Sequence, residues 1–331
     1  MASDQDQEVL DPQGCLFAPG DLPAPPNADP KKIRFRDQLV EEMLSQDALA
    51  VGAISYVPRA FTMTSLPYKQ PKNADGTPAH FFVRESKYLT LTLSTANPLG
   101  LPFGSIPRLL LAHITNQAVR NQSRTIDLCR SITDLLNLFQ MDATGGKTGT
   151  TTRLRTQLDA LTSTTINFEW SGTLREYKMT GKVLMPIVES ALLWEQQNSR
   201  SGYEDGSYIK LSEYFFNEIT KSAVPVDMRA LIALRKSPLA MDLYSFFTYR
   251  MFKLKKAVTI PWKALYVQFG YEYNQMRFFK RQMISLALPA VHQIYDQLKF
   301  EVTDKGLILY PSPTHIPPKT CRKLDSETID G

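Results

Sequence analysis

The stretch Tyr273-Asn-Gln-Met-Arg-Phe-Phe-Lys-Arg-Gln-Met-Ile-Ser285 decides the fold of the C-terminal half of this chain. It is long enough to form a helix, and it carries one apolar and one basic stripe. Arg277, Lys280 and Arg281 fall together on the basic face. The apolar stripe keeps the three-to-four-residue spacing of a buried helix face and comprises Met276, Phe279, Met283, Leu286 and Ile294. A cationic face on a helix anchored in the core is what the major groove of DNA accepts.

The segments around this stretch occur in the order of a winged helix, in which the second helix of a pair enters the groove and a β-ribbon follows. The predicted elements are, in order, a helix at 238–250, a strand at 258–260, a helix at 262–269, the basic helix from near Asn274 and a ribbon at 299–310. We therefore predict a winged helix in the second half.

An earlier part of the chain repeats this order with different residues. The predicted elements are a helix at 107–119, a strand at 125–128, a helix at 131–141, a glycine-containing turn at 145–149 and a helix at 150–161. The last helix buries Leu154, Leu158 and Leu161. Its exposed side bears Thr152, Arg153, Arg155 and Thr156.

A ribbon follows this helix too. Ile166, Phe168 and Trp170 alternate with polar residues as in a strand, Ser171-Gly172 is predicted to turn, and 174–179 is predicted to return. The returning strand carries Arg175 and Lys178, as a DNA-contacting wing would, and 183–188 is predicted to add another strand.

The predicted fold class is α+β, with two tandem winged-helix domains and a disordered acidic N-terminal tail. The tail combines six prolines with few large apolar residues. The predicted division is a tail at 1–34, an N-terminal region at 35–195 with its winged-helix core at about 100–190, a polar linker at 196–207, a second winged helix at 208–312 and a C-terminal tail at 313–331.

Charge favours a polyanionic partner. The formal net charge is +5, and residues 1–30 contain six acidic and no basic residues, which leaves +11 for the remainder. Residues 227–310 carry thirteen Lys or Arg against six acids, a net of +7, whereas 103–181 carry nine against six, a net of +3. The second winged helix should therefore contribute more of the affinity for phosphates.

Other functional classes are disfavoured. The three cysteines have no CxxC spacing and the four histidines are dispersed, so we predict no metal site and no disulfide framework. No apolar run reaches the roughly 20 residues of a membrane span, and the acidic N-terminus argues against secretion. A reducing compartment is expected.

We predict no enzymatic activity and no cofactor. The string Thr144-Gly-Gly-Lys-Thr148 resembles part of a nucleotide-binding P-loop, but Met141 occupies the position of the first glycine and a helix, not a strand, precedes it. It is better explained as a turn in which Lys147 contacts a DNA phosphate. Rolling-circle nicking by a tyrosine, the distant alternative, would require a paired histidine motif, and these histidines are isolated.

Several blocks in the second half resemble the plasmid-encoded RepA replication initiators. The most specific are Ser237-Pro-Leu-Ala-Met-Asp-Leu-Tyr244 and Ile260-Pro-Trp-Lys-Ala-Leu265 with Gln268-Phe-Gly270. The resemblance is firm over about 208–312 and looser over about 100–195. In architecture the chain is also similar to tandem winged-helix initiators that bind iterons.

This resemblance implies a protein that binds direct repeats in double-stranded DNA at its plasmid origin, promotes origin opening and recruits the host replicative helicase and initiator proteins. It also implies monomeric and homodimeric forms in the bacterial cytoplasm, associated with plasmid or nucleoid, with no membrane and no small-molecule substrate. A winged-helix transcriptional repressor without a replication role is the main alternative. The residues expected to contact DNA are Thr152, Arg153, Arg155, Thr156, Arg175, Lys178, Asn274, Arg277, Lys280 and Arg281.

Overall fold

The computed structural model describes residues 30–85, 89–174, 177–193 and 207–318, with side chains described from residue 37 onward except at 170–180. Helices make up 42% and strands 23% of the structure, which confirms the α+β class. Most of the predicted tail and linker and the C-terminal residues after 318 lie outside the described part of the chain. Within that part, no helix has the length and apolarity needed to span a membrane.

Helices occur along the whole described chain, and the first begins inside the predicted tail. They are α1 (Pro30–Ser45), α2 (Ala60–Met63), α3 (Ser105–Asn121), α4 (Ile132–Leu138), α5 (Thr150–Thr162), α6 (Glu213–Lys221), α7 (Met228–Ala233), α8 (Pro238–Lys253), α9 (Trp262–Phe269), α10 (Met276–Gln282) and α11 (Leu288–His292). A π-helical turn, Met283–Ala287, joins α10 to α11.

The strands pair antiparallel in small sheets. They are β1 (Ile54–Pro58), β2 (Phe81–Glu85), β3 (Leu89–Thr95), β4 (Thr125–Asp127), β5 (Thr164–Leu174), β6 (Tyr177–Pro186), β7 (Val188–Leu192), β8 (Tyr208–Leu211), β9 (Ala223–Asp227), β10 (Val258–Pro261), β11 (Phe300–Val302) and β12 (Gly306–Leu309). The strand orders are β1-β9, β2-β3-β5-β6, β4-β8-β7 and β10-β12-β11.

Two of these sheets join segments from both sides of the predicted linker. Strand β8 pairs with β4, so that Ile126 faces Ile209, and β9 pairs with β1. One hydrophobic cluster also extends through both halves and includes Leu110 of α3 and Phe247 of α8, which are fully buried. The domain boundary at 196–207 stays a prediction. The elements on its two sides contribute strands to the same sheets and side chains to the same core.

The helix pair of the first half forms where the sequence predicts it. The Ser131 hydroxyl accepts a hydrogen bond from the N–H of Asp134 at 3.1 Å and thereby caps α4. Leu154, Leu158 and Leu161 of α5 are buried, which confirms the predicted apolar face.

The predicted turn at Ser171-Gly172 is wrong. Strand β5 continues to Leu174, and Ser171 and Gly172 pair with Thr180 and Met179 in a ladder that extends to Pro186. The segment at 183–188, predicted as a separate strand, largely belongs to the same β6. Turn preference is a local property, and here pairing with strand β6 overrides it.

The ribbon of the second half packs tightly on the strand that precedes its helices. Strand β12 lies between β10 and β11, and Gly306 pairs with Pro261. A Cβ atom on Gly306 would lie 2.1 Å from the Ile260 carbonyl oxygen, so this close backbone approach requires glycine.

The predicted apolar stripe of the basic helix is wrong at one position. Phe279, Met283 and Ile294 are buried, but the Leu286 side chain is 48% exposed. The π-helical turn accommodates more residues per turn than an α-helix, so Ala287 instead of Leu286 faces the core. The helix also begins at Met276, which leaves Asn274 outside it.

Candidate nucleic-acid interface

The predicted basic face of α10 is exposed and firmly anchored. Arg277 and Arg281 are exposed, and Lys280 is half-buried. On the opposite side, Phe279 is fully buried and makes edge-on contacts with Tyr266 and Tyr273, with ring centroids 5.6 and 5.7 Å apart. The helix therefore presents its cations to solvent from a rigid base.

Trp262, the first residue of α9, connects α10 with the ribbon. Its indole N–H donates to the Thr303 carbonyl oxygen at 2.8 Å, and its backbone N–H donates to the Lys305 carbonyl oxygen at 3.2 Å. The Lys280 ammonium lies 4.9 Å from the centre of the indole ring, within cation–π distance. Trp262 thereby contacts both Lys280 of α10 and the backbone of the ribbon turn that carries the exposed Lys305.

Much of the negative charge of this half is already neutralised or bound. Four acidic side chains are engaged: Asp227 by Arg229, Asp242 by Arg108, Glu272 by the backbone of Tyr68 and Lys69, and Glu301 by the Tyr310 hydroxyl. Arg277, Lys280 and Arg281 have no carboxylate partner among the described residues. The basic face of α10 is therefore not neutralised by acidic side chains of the described structure.

The face of α5 has fewer available cations. Arg153 is exposed, whereas Arg155 and Thr156 are half-buried, and the buried Arg155 Nε has no hydrogen-bond partner in the described structure. The hydroxyl of the exposed Thr152 donates to the Gly146 carbonyl oxygen at 2.8 Å. Of the four predicted contacts on α5, only Arg153 combines full exposure with positive charge.

The loop before α5 is held by hydrogen bonds between its ends. The N–H of Thr144 donates to the Thr150 hydroxyl at 3.0 Å, and the N–H of Thr150 donates to the Thr144 hydroxyl at 2.9 Å. Gly146 has a φ of +85°, and a Cβ on Gly149 would lie 2.3 Å from two carbonyl oxygens. Lys147 is exposed at this loop, which follows α4 as predicted and not a strand.

The other three residues predicted to contact DNA are Arg175, Lys178 and Asn274. Arg175 lies outside the described residues, and Lys178 lies in β6, where only the backbone is described. Asn274 is exposed in the turn before α10. In the described ranges, no group of three or more His, Cys, Asp or Glu side chains is arranged to hold a metal ion.

The turn that precedes α10 is bound to the first half of the molecule. Glu272 accepts hydrogen bonds from the backbone N–H groups of Tyr68 and, at 3.2 Å, Lys69. The neighbouring Tyr271 ring meets Phe82 of β2 edge-on, with centroids 5.2 Å apart. These contacts set the orientation of α10 relative to the first half.

A buried ion pair joins helix α3 of the first half to helix α8 of the second half. Arg108 of α3 donates to both carboxylate oxygens of Asp242 of α8, at 2.7 and 2.8 Å, and to the Leu66 carbonyl oxygen at 2.8 Å. Burial disfavours the charge on Arg108, but the adjacent Asp242 outweighs it and the pKa of Arg108 is raised. Arg108 is thus held in its charged form inside the core.

Sequence reasoning missed Trp262, Lys305 and Glu272 as parts of this site. Trp262 was predicted only to begin a helix and to belong to a family block, because nothing in its spacing reveals contact with a residue 41 positions away. Lys305 had a usable signal, since it lies in the predicted ribbon turn at the position of a wing tip.

Comparison with known proteins gives a family and a distant structural likeness. Residues 101–264 match the family model described as plasmid encoded RepA protein. Two crystal structures of domains 2 and 3 of RctB are similar, with TM-scores of 0.47 and 0.45 and 12% and 13% sequence identity. They cover 74% and 76% of this chain, and 94% of each RctB chain is matched. No curated protein sequence matches the chain.

The family match covers much of the first half and ends inside α9. It therefore includes 101–195, where the sequence blocks looked looser, and it stops before α10 and its basic face.

Proposed function

Because the chain belongs, through residues 101–264, to the family of plasmid-encoded RepA proteins, we propose that it initiates replication by binding direct repeats at the origin of its own plasmid. A role as a plasmid replication initiator is what the family supports. Repeat binding, opening of adjacent AT-rich DNA and recruitment of the host helicase and initiator proteins are the steps proposed for this chain.

The proposed DNA-binding units are two tandem winged helices. In the second, α9 and α10 form the helix pair and β11–β12 the wing, which pairs with β10. In the first, α4 and α5 form the pair and β5–β6 the wing. If α5 and α10 enter successive major grooves on one face of the duplex, each repeat spans about 20 bp.

One observation carries this proposal: a core-anchored helix presents Arg277, Lys280 and Arg281 without carboxylate partners in the described structure, next to a ribbon turn with Lys305. Such a face binds phosphates through lysine and arginine while the helix reads base edges. In this proposal the protein acts by binding, without a catalytic step or cofactor of its own, in the bacterial cytoplasm.

Two assays test the proposal. In a gel shift, the full-length protein should bind duplexes carrying direct repeats from the DNA flanking its gene, and not a shuffled duplex of the same composition. A plasmid that carries the gene and flanking DNA as its sole origin should then persist in a bacterial host. Repeat binding with loss of the plasmid would favour a transcriptional repressor, and absence of repeat binding would overturn the proposal. Nicking of supercoiled origin DNA with a divalent metal would instead favour the nickase.

A further inference from the structure

An aromatic side chain lies exposed on the basic face of α10. Phe278 is 41% exposed, while the next residue, Phe279, is fully buried. Single exposed apolar residues are common on protein surfaces, so exposure alone carries no conclusion. The position of this ring among the cations is what distinguishes it.

Two guanidinium groups flank the Phe278 ring. The central carbon of the Arg277 guanidinium lies 4.9 Å from the ring centroid, and that of Arg281 lies 5.9 Å away. Both distances are within the range of a cation–π contact. The ring therefore lies within cation–π distance of two charges on the exposed side of the helix.

The chemistry of a phenyl ring limits what it can bind in a DNA groove. It has no hydrogen-bond donor or acceptor, so it cannot bind a phosphate or the polar edge of a base. The apolar group exposed in the major groove is the C5-methyl of thymine. Phe278 lies in the first turn of α10, and the base contacts of a recognition helix come from its N-terminal residues.

We propose that Phe278 is a specificity-determining residue that reads a thymine in each repeat by packing against its C5-methyl group. This inference rests on the proposed DNA-binding function. Arg277 and Arg281 bind the adjacent phosphates or base edges and hold the ring at the methyl group. The charged residues then supply most of the affinity, and Phe278 supplies a preference at one base pair.

A selection experiment from randomised DNA reveals the preference whatever the sequence of the repeat. The full-length wild type, Phe278→Ala and Phe278→Leu each select from a pool of randomised duplexes. The wild type should require thymine at a position where Phe278→Ala accepts other bases. Phe278→Leu, which keeps an apolar side chain, should retain part of the preference. Phe252→Ala removes another exposed phenylalanine, located at the end of α8, and should select the wild-type sequence.

Removal of the single methyl group then isolates the contact. Replacing that thymine by deoxyuridine in the selected duplex should weaken wild-type binding about fourfold, the equivalent of about 0.8 kcal/mol for one buried methyl group. Phe278→Ala should bind the two duplexes equally.

The outcomes separate this inference from the function on which it rests. If the wild type selects no sequence, the proposed function fails and the inference with it. If the wild type selects a sequence but no thymine position loses its deoxyuridine sensitivity in Phe278→Ala, the thymine contact alone is wrong. A uniform loss of affinity in Phe278→Ala across all sequences, with a lower salt dependence, would likewise overturn it, because the ring would then only support the phosphate contacts.

Discussion

The two helix pairs, α4–α5 and α9–α10, follow the same order along the chain but are completed differently. The sheet of the second pair is local, because β10, β11 and β12 all come from 258–309. The ribbon of the first pair joins β2 and β3 from earlier in the chain, while β4 pairs with β8 from after the linker. The sheet of the second pair is therefore completed locally, and that of the first pair depends on segments far away in sequence.

The same difference extends to charge. On α10 the cations are outward and without carboxylate partners among the described residues, whereas α5 has one fully exposed arginine, Arg153. The second pair, with its local sheet and strongly basic face, is suited to binding phosphates. The first half, integrated into the body of the protein, is suited to hold the second half in a fixed orientation.

The largest expected effect follows from breaking the joint between the halves. Arg108→Met leaves Asp242 as a buried charge without its partner, and should lower the free energy of unfolding by about 3–5 kcal/mol. Chemical denaturation followed by circular dichroism measures this. The double variant Arg108→Met/Asp242→Leu removes both charges and should recover most of the loss. Equal stability of the single variant and the wild type would show that the pair does not join the halves.

The next effect concerns the unequal charge of the two halves. Replacing Arg277, Lys280 and Arg281 together by alanine should weaken repeat binding on the order of 100-fold and reduce the slope of log affinity against log salt by about 2 to 3. The matched variant in the first half, Arg153→Ala, should lower the slope by about 1 at most. Gel shifts at several salt concentrations test both. Unchanged affinity in a folded triple variant would contradict the assignment of α10.

A smaller effect is expected at the turn before α10, where Glu272 binds the first half. Glu272→Gln weakens the acceptor for the backbone N–H groups of Tyr68 and Lys69, so the orientation of α10 relative to α5 should be less fixed. Affinity for a single repeat should fall by less than about tenfold, and insertion of one base pair between the two groove sites should be tolerated better than by the wild type. If both proteins respond equally to the insertion, this turn does not set the spacing.

The smallest effect is a pH dependence of stability at His315. Its Nδ1 lies 2.7 Å from the Tyr244 hydroxyl, and burial lowers the pKa of His315 against the attraction of Asp227 and Asp296. Since the unfolded state then takes up the proton first, this contribution to stability is present above about pH 6.5 and is lost as the pH falls below it. The Tm of His315→Gln should fall less than that of the wild type between pH 7.5 and 5.5. Parallel curves would refute this.

Local patterns predicted the helices of both pairs well. The spacing of Leu154, Leu158 and Leu161 predicted the buried side of α5. The spacing of Phe279 and Met283 predicted the buried side of α10 and of the turn that follows it. Both succeeded because a helical face depends only on residues three and four apart. The predicted burial of Leu286 was wrong because a π-helical turn shifts that spacing. Ser171-Gly172 was wrong because strand pairing continues through it.

By itself, the sequence determined the α+β class, the order of the elements, the basic face of α10 and the family resemblance, all of which depend on composition and short-range spacing. The tertiary structure alone decided which strands complete each ribbon, that Phe278 is exposed within cation–π distance of two arginines, and that Trp262 connects Lys280 with the ribbon turn. It also decided that Glu272 binds the turn before α10 to the first half. The contacts of Trp262 and Glu272 join residues far apart in the chain, so no local period encodes them. At Phe278 the neighbours are local, but packing decides that this side chain faces solvent while Phe279 faces the core.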